Sequence, residues 1–126
     1  MNNRILTLQN TIILLRFGIA LVFFLHAVVR IYNGTIPRFG EFLSAKGLPI
    51  GITLVWVITF YEIIGSILLA IGVLRRWIAA GFILILLVGI VLIHAQLGWF
   101  VGEHGTGGVE YSFILIIGLM VLMAED

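Results

Sequence analysis

The chain has 126 residues, of which 62% are hydrophobic and 10% are charged, with a formal net charge of +1. Soluble domains carry about 25% charged residues, so this composition excludes an ordinary water-soluble fold. Cys is absent, which excludes disulfides, thiolate metal sites and iron–sulfur clusters held by the chain's own cysteines. The small net charge and the dispersed Lys and Arg residues give no basis for nucleic-acid binding.

Apolar runs divide the chain into membrane-spanning lengths. A helix needs roughly 20 apolar residues to cross a bilayer, so about four crossings fit, with little left for a domain outside the membrane. The first run is longer than the roughly 7–15 residues of a signal-peptide core and is predicted to be a retained helix. We expect one all-α domain over residues 1–126, a bundle of four transmembrane helices at about 11–32, 52–74, 77–97 and 109–124. The last of these is short for a span.

The predicted spans have recognisable ends. Asn10 or Thr11 is placed to cap the first helix, which ends at Asn33-Gly34. The Arg75-Arg76 pair separates the second and third helices and predicts a tight antiparallel hairpin.

The polar connector over residues 34–49 predicts a short interfacial helix. Phe39, Phe42 and Leu43 are spaced as on one face of such a helix, so this stretch is expected to lie on the membrane surface between the first two spans.

Basic residues are distributed unevenly between the two ends of the bundle. One end has Arg4, Arg16, Arg75 and Arg76, and the other has Arg30, Arg38 and Lys46. Since Lys and Arg favour cytoplasmic segments, we expect a multi-pass protein of the bacterial cytoplasmic membrane with both termini inside. Arg16 is expected to reach lipid phosphate with its long side chain.

Four ionisable residues are predicted to lie in the same half of the bilayer. With alternating helix directions, His26, Glu62, His94 and Glu110 all fall toward one end of the bundle. His26 and Arg30 are four residues apart and share a helix face. A charge at the bilayer centre costs roughly 2.5–3.5 kcal/mol, so Glu62 needs a partner, a proton or a wet pocket.

These residues allow more than one interpretation. Glu62 could pair with Arg30 or His26 simply to hold two helices together. His94 could be a solvated residue at the interface, and His104 is better explained as exposed than as a ligand.

A metal site at His26, Glu62 and His94 is an alternative, because imidazole and carboxylate suit zinc, iron or manganese. No ligand-pair spacing within one helix supports it.

A pocket for a quinone-like amphipathic molecule fits the same residues. In that interpretation His26, Arg30, Glu62, His94 and Glu110 bind the ligand or exchange protons with it at a polar end. The aromatic side chains expected at the apolar end are Phe23, Phe24, Tyr61 and Trp99.

The order of several short motifs resembles the DoxX family of small four-helix bacterial membrane proteins. They are LLRFGIALVFFLHAVVRIYNG (14–34), KGLP (46–49), YEIIGSILLAIGVLRRWIAAG (61–81), IHAQLGWF (93–100) and GGVEYSFILI (107–116). Residues that match the family pattern include Arg16, Gly18, Phe24, Gly47, Pro49, Glu62, Gly65, Gly72 and Glu110. The sequence departs from it with Arg30 where Lys is usual and Ala27 where Gly is usual.

The resemblance implies an association with redox proteins more firmly than it implies a particular reaction. The family takes its name from a subunit associated with a terminal quinol oxidase, and other members resemble thiosulfate:quinone oxidoreductase subunits or partners in oxidative-stress complexes. We therefore expect an accessory of a quinone-linked redox system with a partner subunit, rather than an autonomous enzyme. A non-catalytic scaffold that forms homo-oligomers and a metal or small-molecule binding protein are the alternatives.

Overall fold

The computed structural model describes residues 6–92 and 109–125, and these two ranges form five helices without a strand. The helices are α1 (Leu8–Tyr32), α2 (Ile36–Ala45), α3 (Gly51–Ile71), α4 (Arg75–Leu92) and α5 (Val109–Ala124). By length and composition, α1, α3 and α4 can each cross a membrane. The fourth predicted span, α5, is apolar but has 16 residues, about 24 Å against a hydrocarbon core of roughly 30 Å. The all-α membrane fold with a short helix between the first two spans is confirmed.

α1 begins one turn earlier than predicted. Thr7 caps it, and the Thr7 hydroxyl oxygen accepts a hydrogen bond from the backbone N–H of Asn10 at 3.0 Å. Thr11 lies inside the helix and donates its hydroxyl to the carbonyls of Thr7 and Leu8. The predicted cap at Asn10 or Thr11 was wrong. The apolar run marks where the span begins, but the helix itself begins about one turn before that run.

The turn between α3 and α4 is Gly72–Leu74, so the prediction that the Arg75-Arg76 pair separates them was wrong. Gly72 has φ +85°, and its N–H bonds to the carbonyls of Leu68 and Leu69. A left-handed residue after the last turn ends a helix in this way. α3 therefore ends at Ile71 instead of position 74, and Arg75 is already the first residue of α4.

Both arginines at the start of α4 bind the end of α5. Arg75 donates to the backbone carbonyl of Glu125, and its Nε lies 3.3 Å from Glu125 Oε1. Arg76 Nε donates to the carbonyl of Met123 at 3.1 Å. Carbonyls at a helix C-terminus carry partial negative charge, so cations there are favourable. The α3–α4 turn and the end of α5 thus form one end of the bundle, called here the terminal end.

The helices form two closely packed groups. α1 and α2 both pack extensively on α3, and α4 packs extensively on α5. Contacts across the two remaining seams, α3 with α4 and α1 with α5, are sparser. A cavity can form more easily along such seams than within a closely packed helix pair.

Aromatic packing joins the two groups near the middle of the bundle. Phe23 of α1 and Phe82 of α4 stack with ring centroids 4.0 Å apart and planes 13° from parallel. Gly65 of α3 allows this, because a Cβ there would lie 3.2 Å from Phe82 Cζ. Tyr61 packs edge-on against Phe82 and donates its hydroxyl to the carbonyl of Ile78 at 2.9 Å. α3 and α4 are therefore held together on the terminal side of the bundle.

α2 is held against the start of α3 by a close backbone approach. Its inward residues are Ile36, Gly40 and Leu43. Phe39 is half-buried and Phe42 is exposed, so the predicted common face of Phe39, Phe42 and Leu43 was only partly right. A Cβ at Gly40 would lie 2.7 Å from Cα and 2.8 Å from N of Ile52. Only glycine lets the two backbones meet here.

Gly40→Ala is expected to lower the free energy of unfolding by about 1–3 kcal/mol, because the Ile52 backbone cannot move aside cheaply. Thermal unfolding in mild detergent measures this. Gly18→Ala is the matched control, since a Cβ at Gly18 meets nothing within 4 Å, and its midpoint should be unchanged or slightly higher. Equal midpoints for the two variants would contradict the close packing of α2.

Candidate functional site

A buried ion pair links α1 to α3. Arg30 Nη1 lies 2.6 Å from Glu62 Oε1 and also donates to Thr59 Oγ1 at 2.9 Å. Glu62 and Thr59 are three residues apart and therefore lie on the same face of α3. Both residues are almost completely buried, with exposed fractions of 4% for Glu62 and 0% for Thr59. The cation, the carboxylate and the hydroxyl form one polar cluster inside an otherwise apolar bundle.

Pairing is what makes these charges tolerable at this depth. An isolated charge at the centre of a membrane helix costs roughly 2.5–3.5 kcal/mol on insertion scales, and the cost falls when a partner of opposite sign is in contact. Arg30 is positive and Glu62 is negative, so the pair carries no net charge. A guanidinium has five N–H donors, and the two described bonds both use Nη1.

A second polar contact crosses the seam between α1 and α5. His26 Nε2 and the Tyr111 hydroxyl are 3.0 Å apart, and their rings are tilted at 35°. Which of the two donates depends on the tautomer of the imidazole. His26 is one turn before Arg30 on α1, so the two polar contacts are neighbours along the same helix face.

A cavity of about 340 Å³, called here the central cavity, brings the two contacts together. All five helices contribute to its wall. The polar lining residues among those described are His26, Arg30, Glu62, Tyr111 and Ser112. The rest of the lining is apolar and includes Ile58 of α3 and Val88 of α4. The cavity thus has a small polar wall and a larger hydrophobic one.

α2 and the residues after it form part of the wall of the central cavity. Phe39, Leu43 and Leu48 line it. The Arg30 guanidinium carbon lies 5.6 Å from the centroid of the Phe39 ring, within the range of a cation–π interaction. The interfacial helix is therefore part of the cavity wall as well as a surface element.

The structure brings together three of the predicted site residues. His26, Arg30 and Glu62 all line the central cavity. Glu110 is half-buried at the start of α5 and is not a lining residue. His94 lies outside the described residues, so its predicted role stays a prediction.

The expected aromatic lining was partly wrong. Phe23 lines the central cavity, but Phe24 lines an outer groove between α1 and α3, and Tyr61 is occupied by packing against α4. Trp99 lies outside the described residues. On a helix, neighbouring residues point about 100° apart, so Phe23 and Phe24 cannot face the same space.

Sequence reasoning missed three polar residues of the cavity: Thr59, Tyr111 and Ser112. Thr59 lies beside the cavity and accepts a hydrogen bond from Arg30, whereas Tyr111 and Ser112 line the cavity. Thr59 could have been found from the sequence, because its spacing of three residues from Glu62 places both on one face of a helix. Tyr111 and Ser112 directly follow Glu110 at the start of α5, and no signal in the sequence placed them at the cavity.

The metal hypothesis receives no support from the described residues. Within 6–92 and 109–125, no three His, Asp or Glu side chains are grouped as metal ligands. The predicted set also needs His94, which lies outside these ranges.

Sequence comparison places the chain in a family. The model of the DoxX family matches residues 11–95, more than half of the chain. The chain belongs to the DoxX family. This range contains His26, Arg30 and Glu62 and ends before Glu110. Searches of curated proteins and of solved structures found no match for this DoxX protein.

The Arg30–Glu62 pair of this DoxX protein predicts strong energetic coupling. Glu62→Gln should cost about 3–5 kcal/mol, because it leaves the Arg30 cation buried without its counter-charge. Arg30→Met should also destabilise, and the double variant should lose less than the sum of the two by at least about 1 kcal/mol. Unfolding by SDS in mixed micelles measures all four proteins.

Arg38 and Glu41 provide the control cycle. Both are exposed on α2, and the same substitutions there should couple by less than about 0.5 kcal/mol. Additive effects at Arg30 and Glu62, no larger than at the control pair, would show that the buried contact contributes nothing specific.

Proposed function

We propose that this DoxX protein binds a membrane quinone in the central cavity and acts as an accessory subunit of a quinone-linked redox or oxidative-stress system. The observation that carries the proposal is the cavity itself, an apolar space of about 340 Å³ with a buried Arg30–Glu62 pair on one wall. Small-molecule sites usually have about 300–1,000 Å³, apolar walls and a few convergent polar groups.

The charge of the polar wall favours a neutral head group. Arg30 and Glu62 cancel, so an anion gains little net attraction, whereas a carbonyl oxygen can accept a hydrogen bond from the guanidinium. His26 and Tyr111 offer a second hydrogen-bonding position across the cavity. A quinone has two carbonyl oxygens and an apolar tail, which matches two polar positions and a hydrophobic lining.

Proton exchange is the chemical role that these side chains support. Reduction of a quinone to a quinol takes up two electrons and two protons. In the proposal, Glu62, His26 and Tyr111 deliver or accept the protons, and His94 and Glu110 are further candidates for the same role. Arg30 holds a carbonyl oxygen through its guanidinium N–H groups.

Electrons would come from a separate redox partner. The sequence contains no Cys, so cysteine-ligated iron–sulfur clusters do not belong to this chain. This supports an accessory subunit rather than an autonomous enzyme. The accompanying expectations are a redox partner subunit, self-association within the lipid bilayer, and residence in the bacterial cytoplasmic membrane with both termini in the cytoplasm.

A scaffold function is the second candidate, and one observation favours it. The Arg30–Glu62 contact joins α1 to α3, so it can serve purely to fix the helix pair. In the scaffold case Glu62→Gln loses assembly with partners or copies of the chain. In the quinone case the protein still assembles and loses ligand binding.

Ile58→Trp is expected to weaken binding of decylubiquinone at least tenfold, because the larger side chain fills the central cavity. Titration calorimetry in mild detergent measures the affinity. Ile64→Trp is the matched control, since Ile64 is also on α3 but 57% exposed on the outside. Its affinity should equal that of the wild type.

Gel filtration must show the same oligomeric state for all three proteins, so that a lost site is not confused with lost folding. Absence of decylubiquinone binding to the wild type, or equal affinities for both Trp variants, would refute the quinone proposal.

A further inference from the structure

Arg16, the ninth residue of α1, lies beside the α3–α4 turn. Its Nη1 would be 3.5 Å from a Cβ at Gly72, the residue that ends α3. The α3–α4 turn is where these two spans leave the membrane, so Arg16 shares the depth of that turn. The first two turns of α1, about 12 Å of helix, extend beyond it.

A groove of about 200 Å³, called here the outer groove, runs along the outside of the α1–α3 seam. Phe17 and Phe24 of α1 and Ser66, Ile67 and Ala70 of α3 are among its lining residues. Small side chains at positions 66 and 70 leave the depression, and exposed Phe17 and Ile67 form its rim. From Phe17 to Phe24 it follows α1 inward for about 10 Å.

The Arg16 guanidinium is at the terminal end of the outer groove. Its central carbon is 5.8 Å from the Phe17 ring centroid. The ion pairs among the described residues are Arg30–Glu62 and Arg75–Glu125, so Arg16 belongs to neither. Its Nε is buried and has no hydrogen-bond partner within the described ranges. Within the described ranges, a positive charge without a counter-charge thus lies at the level of the α3–α4 turn, next to an apolar groove.

We propose that Arg16 and the outer groove form a binding site for an anionic phospholipid. The phosphodiester accepts hydrogen bonds from the guanidinium, which matches phosphate oxygens in geometry, and one acyl chain lies along the groove. A second copy of the chain would have to bring a carboxylate to this depth, whereas a phospholipid already has its phosphate there. The site is separate from the central cavity and does not depend on a quinone.

Native mass spectrometry in mild detergent tests the site with equimolar dimyristoyl phosphatidylglycerol and dimyristoyl phosphatidylcholine. Arg16→Gln is expected to lower the preference for the anionic lipid about fivefold, the usual contribution of one cation near a membrane surface. Arg16→Lys should retain most of it. Arg76→Gln is the charge-matched control at the same end, and its effect should be clearly smaller because Arg76 is on α4, whereas α1 and α3 line the outer groove.

The groove is tested by Ala70→Leu, which fills it without changing charge. Retention of both lipids should fall, while Ala124→Leu, on an exposed alanine of α5, should leave it unchanged. Unchanged lipid binding in both Arg16→Gln and Ala70→Leu would overturn the proposal. So would a changed oligomeric state in Ala70→Leu with lipid binding intact, because the groove would then be an interface between copies of the chain.

Discussion

A guanidinium and a carboxylate meet inside the membrane-spanning part of this DoxX protein, where Arg30 Nη1 lies 2.6 Å from Glu62 Oε1. Neither charge is stable alone in hydrocarbon, so each helix carries a group that requires the other. The contact fixes the register of α1 against α3, and Thr59 adds a hydrogen bond to the same guanidinium. Because the pair needs polar surroundings and faces the bundle interior, it also defines the polar wall of the central cavity.

The arginines near the two ends of α1, Arg30 and Arg16, differ in their described partners. At one end Arg30 is neutralised by a carboxylate of the same chain, which favours an uncharged ligand. At the terminal end the described ion pairs do not include Arg16, while Arg75 binds the end of α5. In the two proposals, the arginine that has a partner faces the central cavity, and the arginine outside the described ion pairs lies at the end of the outer groove.

Much of the architecture could be predicted from the sequence, because membrane helices must be long and apolar. The charge of Glu62 in such a run indicated a residue that needs a partner or a polar pocket, and the structure places it, buried, against Arg30. The α3–α4 turn could not be placed, since its boundary depends on the left-handed conformation of Gly72 and Leu74 rather than on hydropathy. Tyr111 was missed because its partner His26 is 85 residues away, and depth in the membrane does not determine which way a side chain points.

Isotope-edited infrared spectroscopy tests the central claim most directly, that a quinone head group is bound at the Arg30–Glu62 wall. Ubiquinone labelled with ¹³C at its carbonyls would be added to the purified protein in lipid. If the head group is bound there, the carbonyl band shifts to lower frequency than in lipid alone, because the guanidinium donates a hydrogen bond, and Arg30→Met abolishes the shift. If the carbonyl band is the same in lipid with the wild-type protein as in lipid alone, binding at the Arg30–Glu62 wall is contradicted.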